Sequence, residues 1–344
     1  MRKTVAVWLS ILALVVLAAC GDSASGSGEG GDGKGSSDKL TVYSPHQTEI
    51  INPIIKEFQD RTDIEVELVT GGTGELLNRI EAEAGNPLGD VMWGGGAESL
   101  QAYSDQFETY EVAESDQIPD MYKSPDSSWV GFSALPMVIM YNKDLVEEAD
   151  APKTWQDLLD QKWKGKIAYA DPAKSGSSYT QLVTMLEANK DDGNDGWDFV
   201  ADFVENLDGK ILSGSSMVYK GVADGEFPIG VTLEEAAYRY VSGGANVDVA
   251  YPEEGTSAVP DGAALIKDAK NKDNAQEFLD FLTSKDVQEL TVSEFNRRSV
   301  REDVEPPEGL TTTDEIPFVD YDFDWASENQ EAVMGKFQDL IIGK

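Results

Sequence analysis

The sequence predicts an α/β protein of two lobes, with a mixed, mostly parallel sheet in each and a hinged cleft between them. Three observations predict it. Strand and helix patterns alternate through residues 40–96, and they alternate again through residues 166–252. Between and after these sets, two apolar runs at 130–142 and 257–266 read as crossings from one lobe to the other.

The elements follow in order. L-T-V-Y at 40–43 reads as a strand, and S-P-H-Q-T-E-I-I-N-P-I-I-K-E-F as a loop entering an amphipathic helix. I-E-V-E-L-V-T at 64–70 alternates as a second strand. G-G-T-G then precedes another helix, and D-V-M-W-G-G-G at 90–96 is a short strand ending in glycines. In the second set, K-I-A-Y-A at 166–170 is a strand, followed by helices from about Ser177 and around 195–207. F-P-I-G-V-T at 227–232, a helix from Leu233, and V-D-V-A-Y-P at 247–252 complete it. Ligands of such sheets bind outside the C-terminal ends of the strands.

Ahead of these elements lie two segments of other character. Residues 1–20 carry Arg2 and Lys3, then an apolar run too short to span a bilayer comfortably, and end in Leu17-Ala18-Ala19-Cys20. This resembles a bacterial lipoprotein signal with its lipobox, which would make Cys20 a lipidated membrane anchor and place the body outside the cytoplasm. It is the only cysteine, so no disulfide or cysteine metal cluster is expected. Residues 21–39 are rich in Gly and Ser, with little to bury, and read as a flexible tether. The chain has 64 Asp and Glu against 27 Lys and Arg, a net charge of −37. Such a surface excludes nucleic acid as a partner, and an anionic solute would need local donors to overcome it.

The lipobox and tether, L-T-V-Y-S-P-H, G-D-V-M-W-G-G-G, N-K-D-L with T-W-Q-D-L-L and W-K-G-K-I, D-P-A-K-S-G-S-S, and Y-P-E-E-G-T with N-A-Q-E-F-L-D-F-L together resemble the extracellular solute-binding proteins of ABC importers. The subgroup is that of ferric-iron, phosphonate and sugar-phosphate binders, which have the type 2 periplasmic-binding fold. The resemblance implies a monomer that closes on one small solute, here a phosphorylated or phosphonate-type anion, and delivers it to a cognate permease. It also implies that the final residues return to the second lobe. The expected organisation is then 40–136 with 257–310 in lobe 1, and 137–256 with 311–344 in lobe 2.

The candidate ligand residues lie in donor-rich turns: Ser44 and His46; Thr73 and Gly74; Ser177 and Ser178; Ser215 and Ser216. Neutral N–H and O–H groups there suit an oxyanion, but each Ser or Thr equally reads as a helix cap. Trp93, beside three glycines, is either a cleft residue or core. One of Glu234 and Glu235 would accept an ammonium or a hydroxyl from the solute, while the other faces solvent. Arg297 and Arg298 would either complete an anion site or offset acidic surface.

The ferric alternative would use His46, Glu75, Glu234 and Glu235. Ferric binders in the resembled family commonly use adjacent tyrosines, whereas here Arg239 separates Tyr238 from Tyr240. No resident metal or cofactor is expected. With one histidine, no G-x-S-x-G, no H-E-x-x-H and no P-loop, an enzyme is not expected either, although an extracellular hydrolase using paired carboxylates remains as an alternative.

Overall fold

The computed structural model describes residues 38–191 and 193–343. The lipidation candidate Cys20, the leader and most of the expected tether lie outside the described residues. Among those described, no helix is long and apolar enough to cross a membrane.

The first sheet begins with β1 (Lys39–Ser44), α1 (Thr48–Thr62), β2 (Glu65–Thr70), α2 (Thr73–Glu83), β3 (Val91–Gly96), α3 (Ala97–Ala102), β4 (Phe107–Glu108) and β5 (Val130–Ala134). In α1 the residues Ile50, Ile51, Ile54, Ile55 and Phe58 recur at helical spacing and are all buried, which fixes the face turned to the sheet. The chain then enters a second sheet through β6 (Met137–Asn142) and β7 (Ile167–Ala168). After α4 (Gly176–Ala188), the hairpin β8 (Lys190–Asp191) and β9 (Asn194–Asp195), α5 (Trp197–Leu207) and α6 (Ser215–Ala223), it continues through β10 (Ile229–Leu233), α7 (Glu234–Ser242) and β11 (Val247–Ala250). It returns to the first sheet as β12 (Pro260–Ile266), α8 (Lys272–Thr283), α9 (Lys285–Phe295) and β13 (Arg298–Ser299), and ends in α10 (Phe323–Glu328) and α11 (Gln330–Ile342).

The first sheet has the order β13-β5-β12-β3-β1-β2, with β4 also on β12, and the second has the order β11-β6-β10-β7. Pairing is parallel in β2-β1-β3 and in β10-β7, where helices connect the strands, and antiparallel where the crossing strands β5, β6, β11 and β12 enter. Apolar side chains pack on both faces of each sheet. On the first, one layer includes Phe58 and Phe278 and the other Leu76 and Trp129; on the second, one includes Tyr169 and Phe337 and the other Met140 and Val222.

The crossings lie side by side. Met137 N donates to Ser257 O at 3.1 Å, Thr256 Oγ1 donates to Met137 O at 2.7 Å, and Thr256 N donates to Pro317 O at 2.8 Å. The two crossings are thus hydrogen-bonded to each other, with the 317–319 segment alongside, and an opening motion would bend there.

Candidate functional site

A cleft of 330 Å³ lies between the two sheets. Three helix N-termini line it with donors from both lobes: Gly71, Gly72 and Thr73 at α2, Ser175, Gly176 and Ser177 at α4, and Ser213 to Ser216 at α6. Each helix starts here because a Gly or Ser holds the extended cap position before it. Unpaired N–H groups at helix starts and their positive dipole ends favour an anion. Pro45, Leu135, Met137, Leu233 and Val259 form the apolar part of the wall.

The cleft is closed tightly around α2 and α4. Gly176 N donates to Thr73 Oγ1 at 3.3 Å across the lobes. A Cβ added at Gly72 would lie 2.5 Å from Lys174 O, and one at Gly74 would lie 2.5 Å from Ala173 O, so these backbones approach as only glycine permits. Gly94, at φ +113°, similarly leaves room for the His46 ring.

The cleft is also lined by a buried ionic network. Asp261 accepts from Ser133 N at 2.9 Å and Ser133 Oγ at 2.6 Å through one oxygen. Its other oxygen accepts from Arg297 Nη1 at 2.7 Å and meets His46 Nε2 at 2.5 Å. Burial alone would raise the Asp261 carboxyl, but the Arg297 charge and the hydrogen bonds prevail and hold it down to about 2. Burial lowers His46 below its ordinary value despite the Asp261 carboxylate. The ring is therefore neutral at pH 7, and Nε2 must carry the proton it donates to Asp261. From the other lobe, Glu235 Oε1 accepts from Arg297 Nη2 at 3.1 Å, and Arg239 Nε lies 3.3 Å from Glu235 Oε2.

The sequence candidates separate accordingly. His46, Thr73, Ser177, Ser215, Ser216 and Glu235 line the cleft. Ser44 lies behind it, its hydroxyl donating to Trp93 O at 2.6 Å and tying β1 to β3. Trp93 is a correction: β3 is paired on both sides, and the indole packs edge-on against Phe132 and Phe278 in the lobe-1 core. Ser178 is buried on α4 beyond the cleft lining, and Gly74 serves lobe contact there in place of ligand contact. Glu234 is a second correction. It turns away from the cleft onto Arg298, whose Nε and Nη2 donate to it at 2.8 and 2.9 Å, and it also accepts from Tyr251 Oη. It does not face solvent either, being buried like Glu235.

The four residues of the ferric alternative do not converge. Glu75 is exposed, Glu234 is committed to Arg298, and His46 Nε2 is committed to Asp261. Among the described residues, no group of three or more His, Cys, Asp or Glu is arranged to hold a metal ion. Of the arginine pair, Arg297 lines the cleft fully buried, so it does more than offset surface charge. Sequence reasoning missed Asp261, although a lone carboxylate inside the apolar crossing S-A-V-P-D-G-A-A-L-I was a usable signal.

Glu98 was also missed. This carboxylate on α3 accepts from Thr180 Oγ1 on α4, a residue of the cleft wall, and from Tyr321 Oη at 3.2 Å. Burial pushes it up to about 7 against those hydrogen bonds. Behind the crossing strand, a larger apolar cavity of 820 Å³ shares Val259 with the cleft and contains Arg298.

The family of bacterial extracellular solute-binding proteins matches this chain over residues 53–317. The iron uptake protein A1 of Synechocystis sp. is 29% identical over 288 residues, covering 79% of this chain and 78% of that protein. A putative 2-aminoethylphosphonate-binding periplasmic protein of Salmonella typhimurium is 27% identical over 267 residues, covering 72% of this chain and 73% of its own. Among solved structures, the periplasmic binding protein AfuA from Actinobacillus pleuropneumoniae, with exogenous fructose-6-phosphate bound, superposes with a TM-score of 0.82 at 25% identity, over 88% of this chain and 98% of that one.

Proposed function

This chain belongs to the bacterial extracellular solute-binding proteins, a non-catalytic transport class, and from that premise we propose that it captures a small phosphorylated or phosphonate-type anion for an ABC importer. The observation that carries this reading is the meeting of three donor-rich helix N-termini in one cleft, at Thr73 from one lobe and at Ser177 and Ser215 from the other. Hydrogen bonds from neutral donors to a charged oxyanion contribute about 1.5–3 kcal/mol each, which answers the long-range repulsion of an acidic surface. Glu235 meets the other end of the solute. Closure brings Thr73 and Gly176 together, and the closed form docks on the permease. The protein acts as a monomer, held to the membrane through Cys20.

A ferric cargo is the second reading, favoured by relatives such as the iron uptake protein. Against it stand the absence, among the described residues, of a cluster of metal-ligating side chains and the engagement of His46 and Glu234 in protein contacts. Native mass spectrometry of the protein purified from cells, with metal measured in parallel, tests the choice. About one phosphorus-containing solute per chain is expected. Stoichiometric iron without such a solute overturns the reading.

A further inference from the structure

The ionic network that lines the cleft constrains what a solute can bring to it. Two acceptor atoms there make no hydrogen bond: Glu235 Oε2 and His46 Nδ1. Both atoms are buried, and both residues line the cleft. The Glu235 oxygen has Arg239 Nε 3.3 Å away, but not aligned as a hydrogen bond, and Arg239 spends Nη2 on Gln47 at 3.0 Å. The His46 nitrogen is an acceptor because the other ring nitrogen donates to Asp261, which has only acceptor atoms to offer. A solute that fills the cleft must bring hydrogen-bond donors to these two atoms, since buried acceptors left unpaired are costly.

Two kinds of donor are available, an ammonium and a hydroxyl, and local charge separates them. Asp261 and Glu235 are matched by Arg297 and Arg239, and the imidazole is neutral, so the cluster carries no net charge. An ammonium would lose its hydration here without a net negative charge in return, and it would lie beside two guanidiniums. A hydroxyl is cheaper to desolvate. It can also accept from Arg297 Nε, which likewise makes no hydrogen bond and belongs to a residue lining the cleft.

We propose that Glu235 and His46 select an uncharged hydroxylated group on the solute, so that the cleft takes hydroxylated phosphate esters or phosphonates in preference to aminophosphonates. This rests on the anion reading above. The test compares three phosphonates of nearly equal size by calorimetry at pH 7: ethylphosphonate, 2-hydroxyethylphosphonate and 2-aminoethylphosphonate. The hydroxyl compound is expected to bind about tenfold or more tightly than either of the others. Glu235→Gln, which keeps the side chain's shape, is expected to lower the ratio of 2-hydroxyethylphosphonate to ethylphosphonate affinity at least about threefold.

Equal or tighter binding of 2-aminoethylphosphonate overturns the inference and leaves the anion reading standing. So does equal binding of ethylphosphonate. If none of the three binds and the purified protein carries iron, the anion reading itself falls and the inference falls with it.

Discussion

Arg297 and Glu235 meet across the cleft with Nη2 and Oε1 3.1 Å apart, each side chain 2% exposed, and each comes from a different lobe. Their chain neighbours Arg298 and Glu234 form a second bridge on the far side of the crossing strands. Two consecutive residues from each lobe thus pin the lobes beside the crossings, one bridge lining the cleft and the other turned away from it.

Replacing Arg297 by Met should strand two buried carboxylates, Asp261 and Glu235. Removing one member of a buried ionic network costs about 3–5 kcal/mol, so urea unfolding should show a loss of that order. Adding Glu235→Gln should recover part of it. A loss below about 1 kcal/mol in the single variant would contradict the assigned network.

Glu98 should make stability fall with rising pH. Its folded value, about 7, lies above the ordinary 4.5, so the folded chain keeps a proton that the unfolded chain has already lost. The contribution is complete below pH 4.5 and is lost as pH rises to about 7, on the order of 3 kcal/mol in all. Urea midpoints measured from pH 5 to 8 should therefore decline, and Glu98→Gln should flatten that decline. Parallel curves for both proteins would remove Glu98 as the cause.

Gly74→Ala should separate stability from closure. Inside α2 an alanine favours the helix by about 1 kcal/mol. Its Cβ would nevertheless lie 2.5 Å from Ala173 O on the other lobe. The variant should melt no lower than the parent without ligand, yet bind 2-hydroxyethylphosphonate at least about tenfold more weakly and stay more expanded in small-angle scattering. Unchanged affinity would show that the lobes close without this contact.

Ser177→Ala and Ser178→Ala should differ although the residues are adjacent. Ser177 lines the cleft beside Ser175, whereas Ser178 is buried and its hydroxyl makes no hydrogen bond. The first substitution should weaken anion binding by about 1–3 kcal/mol, and the second should leave affinity nearly unchanged. Equal effects in calorimetry would reverse the assignment of this loop.

The amino-acid sequence by itself determined the two strand-helix sets, the crossings near Pro136 and Pro260, and the donor-rich turns, because local periodicity and glycine placement encode elements and their apolar faces. Only tertiary structure decided which side chains face the cleft. Successive helical residues point about 100° apart, so Glu234 and Glu235, or Ser177 and Ser178, cannot share a direction. Which member enters the cleft is set by partners remote in sequence, Arg298 and Arg297 for the glutamates. Trp93 shows the same dependence: its flanking glycines read as a loop, but pairing of β3 between β1 and β12 sends the indole into the core. A short stretch of sequence carries its own backbone preference, whereas the direction a side chain finally takes depends on burial and charge supplied from the other lobe.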